Sequence, residues 1–299
     1  MRRSLRIFPL YFGVLFVAFV IVPMLGIQYT TAGMGEAEKN QAWLWLYCSN
    51  FGMAWYRLDF GRFSHFCTFA IEEHFYLGWP AIVWFSSASK LHWTCLGVIV
   101  GSISCRIGFI AFGDASSAHL LSPCRADSLA MGGLLACATR FSGVSHPQSK
   151  QLTQYALWTF GGSLVVFILC AVKVNPVENL SLTLFPCVVS ILSASFIVLA
   201  VPAQHTASTC LVSKLMDISL LRKFGKYSYA IYVFHVPLIP VVYVVFAKLG
   251  LQIGLRIESF PFSVVSLCYF ILTAAVCFLI SVISWESYEK HFLSLKRFF

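Results

Sequence analysis

The chain is 299 residues long, 59% hydrophobic and only 11% charged, with a formal net charge of +9 and a mean hydropathy of +0.79. These values exclude an ordinary soluble domain and define a polytopic membrane protein. The positive charge does not point to nucleic acid, because the basic residues are dispersed between apolar runs and form no stripe with interleaved aromatics.

A bilayer needs about 20 apolar residues per spanning helix. Eight such stretches are predicted in chain order, at about 10–29, 67–86, 92–112, 123–140, 154–172, 181–201, 226–248 and 262–284. The fold class expected is therefore all-α, a polytopic membrane helix bundle of about eight transmembrane helices forming a single membrane domain over 1–299. With the first residues placed inside, thirteen basic residues, including Arg2, Arg3, Arg6 and Lys226, fall on the inner side and six on the outer. That asymmetry fits the positive-inside rule and puts both termini in the cytoplasm. No small-residue cleavage site follows the first apolar stretch, so the first span is expected to be retained. The segment AWLWLYCSNFGMAW, within 41–56, is aromatic and nearly uncharged and is expected at the interface or dipping inward. Most of the eleven cysteines lie in apolar runs, and no C-x-x-C pair occurs. They read as small core hydrophobes.

Arg3 and Arg6 share a helix face just before the first span. A guanidinium pair there suits either the phosphates of an acyl-coenzyme A or anionic lipid. Glu72 and Glu73 sit in an otherwise apolar run, where a charge costs roughly 2.5 to 3.5 kcal/mol on insertion scales. On a helix Glu72 and Tyr76 share a face, with Glu73 about 100° around it, so one acid can be solvated while the other is buried. Such a pair has separated pKa values and can supply a general base, or each acid can simply pair with an arginine. His65 joins the Glu72 face if the helix extends that far. Arg125 and Asp127 point in nearly opposite directions and should have different partners, Arg125 being the natural counter-ion for Glu72 or Glu73. The nearby Gly132, Gly133 and Ala136 suit close helix packing. His235, about 13 Å into its span at 1.5 Å per residue, reads either as a proton relay or as a packing residue. Tyr229 and Glu289 read as supports near helix ends, with Glu289 paired to a nearby base.

Five motifs then occur in a telling order: RRSLRIFPLY at 2–11, SHFCTFAIEEHFYLGWP at 64–80, RADSLAMGGLLA at 125–136, FGKYSYAIYVFHVPL at 224–238 and ESYEKHF at 286–292. Together they resemble the acyltransferase 3 family, integral-membrane O-acyltransferases that modify extracytoplasmic sugars, glycolipids or macrolides. The resemblance implies transfer of an acyl group, acetyl by default, from a cytoplasmic acyl-CoA to a hydroxyl of an extracytoplasmic carbohydrate or glycolipid. It implies the inner (cytoplasmic) membrane, with the lipid bilayer, the acyl-CoA donor and the acceptor as partners, and no permanently bound cofactor or metal. It favours Arg3 and Arg6 as donor-binding residues. Glu72, Glu73, His65 and Arg125 become the catalytic candidates, supported by Tyr76, Asp127, Tyr229, His235 and Glu289.

Two departures stand out. The family normally begins with two further helices carrying an arginine and a histidine considered catalytic, so the chain looks N-terminally truncated and is expected to have little activity by itself. Cys67, Thr68 and Phe69 replace the tryptophan, serine and leucine that usually precede the acids, and His291 replaces a proline. Embedded acids and arginines also suit a secondary transporter or proton-coupled carrier, and a non-catalytic remnant is the third alternative.

Overall fold

The computed structural model describes residues 3–26, 34–87, 89–141, 150–171, 178–200, 211–252 and 262–298, and all regular structure among them is helical. Six helices are long and apolar enough to cross a membrane: Ser4–Met24, Leu91–Ala111, Thr153–Cys170, Thr183–Ala200, Ser219–Lys248 and Val264–Ser294. The other two expected spans correspond to Cys67–Phe85, which carries both glutamates, and to Ala126–Phe141, which has 16 residues. Large apolar side chains such as Trp84, Phe85 and Phe270 are more than two-thirds exposed, as side chains facing lipid are. The aromatic segment does not span. It breaks into the short helices Ala42–Trp45 and Ser49–Tyr56 at Tyr47, whose φ is 55°, and eight helical residues cover only about 12 Å.

The chain forms two compact units. The first combines the described parts of 1–46, 58–66 and 219–299. Helix α1, Ser4–Phe16, contains Pro9 and continues through a π-helical turn, Val17–Ile21. Proline removes a helix donor and disturbs the preceding turn. The phenols of Tyr229 and Tyr288 donate to the carbonyls of Ile7 (2.6 Å) and Pro9 (3.2 Å), tying α1 to two neighbouring helices at this point. Gly13 permits the approach of Tyr288, whose hydroxyl would lie 3.3 Å from an added Cβ. The long helix Ser219–Gln252 packs on Phe262–Ser284, with the Phe224 ring tilted against Phe278 at 4.7 Å and the Tyr269 hydroxyl donating to Ile239 O.

The second unit combines 47–57 with the described parts of 67–218. Its helices are joined by polar contacts of the kind that substitute for a hydrophobic drive inside lipid. Ser190 donates to Ser128 at 2.8 Å, and Thr159 and Ser195 share a hydrogen bond of 2.8 Å. Small residues allow the close contacts. An added Cβ at Gly133 would lie 2.9 Å from the Trp79 ring and 3.2 Å from Cys95 Sγ.

Candidate functional site

In the second unit, helix Cys67–Phe85 carries Glu72, Glu73, His74 and Tyr76, all half-buried, above the buried Ala70 and Ile71. The expected division into one solvated and one buried acid is not visible in their exposure. Arg125 ends the short 3-10 turn Ser122–Arg125, which starts there because Pro123 lacks the N–H that a deeper helix position needs. The guanidinium acts on Cys67, the first residue of the glutamate helix, and on His119. Burial pushes the His119 imidazole below its ordinary pKa, and the charges of Arg125 and Arg106 push it the same way. At the neighbouring turn, the Asp114 side chain accepts from the Ser117 N–H and from Arg57, and these bonds hold its carboxyl below the usual range.

Asp127 is paired with Arg106, a residue not singled out from the sequence. Arg106 Nη2 lies 2.7 Å from Asp127 Oδ2, and the same guanidinium donates to the carbonyls of Cys124 and Thr183, each at 2.7 Å. Sequence reasoning missed it because an isolated arginine in an apolar helix shows no partner until three segments converge. The same is true of a contact between His74, Ser122 and Asn50, where His74 Nδ1 is 2.7 Å from Ser122 Oγ. All these residues come from separate stretches of the second unit, so no motif spacing announces them.

In the first unit, Arg3 and Arg6 lie exposed at the start of α1. Glu289, in a second π-helical turn, Trp285–Glu289, is buried, accepts from Ser284 Oγ at 2.9 Å and feels the charge of Arg6. His65 does not extend the Glu72 face, because the backbone is a 3-10 turn over Gly61–Phe66 and the α-helix begins at Cys67. Its ring instead contacts His235 edge-on at 5.0 Å, and Tyr232 donates to its carbonyl at 3.1 Å. Burial lowers the His65 pKa to about 4, with the nearby His235 adding to the effect. His235 Nδ1 lies 2.6 Å from Tyr232 O. A carbonyl only accepts, so Nδ1 carries a proton.

A cavity of about 750 Å³ occupies the first unit. Its walls are nearly all apolar, following α1 from Leu10 through Gly13, Val14 and Val17 to Val22, and meeting Phe234 and Pro237. Arg62, which donates to Pro237 O at 3.2 Å, is the one charged residue in the wall among the described residues, and Tyr288 and Ser284 add hydroxyls. Both π-helical turns contribute to this wall through Val17 and Ser287. No group of three or more metal-ligating side chains gathers among the described residues.

The fold and its apolar helices define a multi-pass membrane protein. The chain belongs to the acyltransferase 3 family, whose model, described as an acyltransferase domain, matches residues 1–282. It is thus a membrane acyltransferase in general terms. No curated protein and no solved structure matches the chain detectably.

Proposed function

We propose that the protein transfers an acyl group from a cytoplasmic acyl-CoA to a hydroxyl of an extracytoplasmic carbohydrate or glycolipid. The membrane would be the inner (cytoplasmic) one, with both ends of this chain inside. The observation that carries the reading is the cavity along α1. It begins one turn after Arg6 and follows the helix from Leu10 to Val22, a rise of about 18 Å at 1.5 Å per residue. Such a space suits a slender acyl-pantetheine arm whose phosphates stay with Arg3 and Arg6 at the membrane surface.

The reaction needs a base for the acceptor hydroxyl, donors for the tetrahedral oxyanion and a thiol leaving group that recovers a proton. Glu72 and Glu73 supply carboxylates for orienting or deprotonating the acceptor, and Arg125, near the start of their helix, supplies positive charge. The carrier alternative rests on ionisable groups embedded in the membrane. Two of these, Arg106 and Asp127, neutralise each other as a buried ion pair and need no transport role.

The test is release of thiol from radiolabelled acetyl-CoA by the purified chain in lipid vesicles with a membrane glycolipid extract, repeated with Arg6→Ala and Glu72→Gln. Label should appear in the glycolipid, at the low level expected of this chain by itself, and fall in both variants. Proton-coupled uptake with no donor consumption would establish the carrier instead.

A further inference from the structure

Three segments of the second unit meet at Ser122. Its Oγ lies 2.7 Å from His74 Nδ1 and 3.1 Å from Asn50 Nδ2, and Asn50 Nδ2 also donates to Leu120 O at 3.1 Å. The carboxamide NH2 has no lone pair to offer, so Ser122 Oγ accepts from Asn50 and its own proton is free to turn toward His74. The Tyr47 backbone also hydrogen-bonds the imidazole. Phe51 stacks on the ring at 5.1 Å and fixes its plane.

A hydroxyl, an imidazole within hydrogen-bond reach and a group that holds the imidazole are the parts of an activated nucleophile. Two features are poorly explained by a purely structural bridge. Tyr47, an aromatic residue, is held at φ 55°, a conformation that costs energy and persists where the surroundings enforce it. Asn50 is completely buried, yet its Oδ1 has no hydrogen-bond partner among the described residues. That leaves an unused buried acceptor on the residue that donates to Ser122.

We propose that Ser122, deprotonated by His74, accepts the acyl group as an ester before the acceptor receives it. The proposal rests on the transferase reading above. In the first half, Ser122 Oγ attacks the thioester carbonyl, its proton passes to His74, the carbon–sulfur bond breaks and the CoA thiol leaves with the proton from His74. In the second, the acceptor hydroxyl attacks the seryl ester, His74 takes its proton and returns it to Ser122 Oγ as that bond breaks. No oxidant or further reactant is needed. A covalent intermediate suits transfer across a membrane because donor and acceptor need never occupy the site together.

The full chain, purified in detergent, is incubated with radiolabelled acetyl-CoA or octanoyl-CoA without acceptor, then denatured. Label should remain on the protein, be released by hydroxylamine and map to the peptide containing Ser122. His74→Ala should slow labelling by about 10²- to 10⁴-fold, the usual contribution of a positioned base. Ser122→Ala should abolish labelling, and Ser122→Cys should restore it as a thioester cleaved by hydroxylamine at neutral pH, which separates loss of the nucleophile from loss of the fold. A folded Ser122→Ala protein that acylates membrane glycolipid at the wild-type rate overturns the seryl intermediate and leaves the transferase reading intact. Wild-type protein that neither gains label nor releases thiol from either donor overturns both.

Discussion

Arg106 and Asp127 form an ion pair of 2.7 Å with side chains 0% and 2% exposed. Every direction around the guanidinium is occupied by an acceptor, since Nε and Nη2 reach Cys124 O and Nη1 reaches Thr183 O. The pair therefore pins helix Leu91–Ala111 to the turn that holds Ser122 and Arg125, and to helix Glu178–Ala200. Removing one partner leaves a buried charge alone, at a cost of about 3 to 5 kcal/mol. Arg106→Met and Asp127→Leu are each expected to lower the melting midpoint sharply, whereas the double variant should recover much of the loss. A double variant less stable than either single one would show that the pair does more than neutralise itself.

Much of the fold is legible because its signal is local. The apolar stretch expected at 92–112 is observed at Leu91–Ala111, and that at 262–284 as Phe262–Ser284. Side-chain partners are not local. Helix geometry separates Asp127 from Arg125, but nothing in an apolar run shows that Arg106, 21 residues earlier, will reach Asp127. Ser122 is similarly unremarkable as a residue before Pro123, and only the fold brings His74 and Asn50 to it. The 3-10 backbone that removes His65 from the Glu72 face follows from contacts made by Asp59 and Ser64, whose side chains bond Gly61 N and Phe60 N.

Gly132 and Gly133 are neighbours in sequence with opposite tolerances. An added Cβ at Gly132 meets nothing within 4 Å, whereas at Gly133 it presses into the rigid Trp79 ring at 2.9 Å. Gly132→Ala should leave the melting midpoint unchanged or raise it slightly through helix propensity. Gly133→Val should destabilise by about 1 to 3 kcal/mol, the usual cost of overpacking. Equal midpoints for the two variants would contradict the close helix contact.

His65 gives stability a defined pH dependence. Its folded pKa, lowered to about 4 by burial and by His235, lies below the unfolded value of about 6.5. The unfolded chain therefore binds the proton more readily. The contribution is fully present above the unfolded value and is lost as pH falls from there toward about 4. The melting midpoint of the wild type should decline across that window, and His65→Phe should flatten the decline. His119, also lowered by burial and by Arg125 and Arg106, should sustain a residual slope that disappears when His119→Phe is added. An unchanged pH profile in the double variant would place the titrating groups elsewhere.

Ala18 is buried in the wall of the cavity, facing a space large enough for more than an acetyl group. Water occupies about 30 Å³ per molecule in the liquid, so the cavity volume of about 750 Å³ exceeds a two-carbon acyl group many times over. Ala18→Phe places a ring in apolar space without burying a polar group, so folding should be preserved. If the acyl arm runs along α1, the ring obstructs its path. The kcat/KM for octanoyl-CoA should then fall by about tenfold or more, since misplacing a reacting group by about 1 Å already costs far more than tenfold. Acetyl-CoA should be less affected, because its shorter acyl group needs less of the space beyond the carbonyl. Retained melting midpoint with unchanged use of both donors would show that the acyl arm does not pass Ala18, and would remove the observation on which the donor path rests.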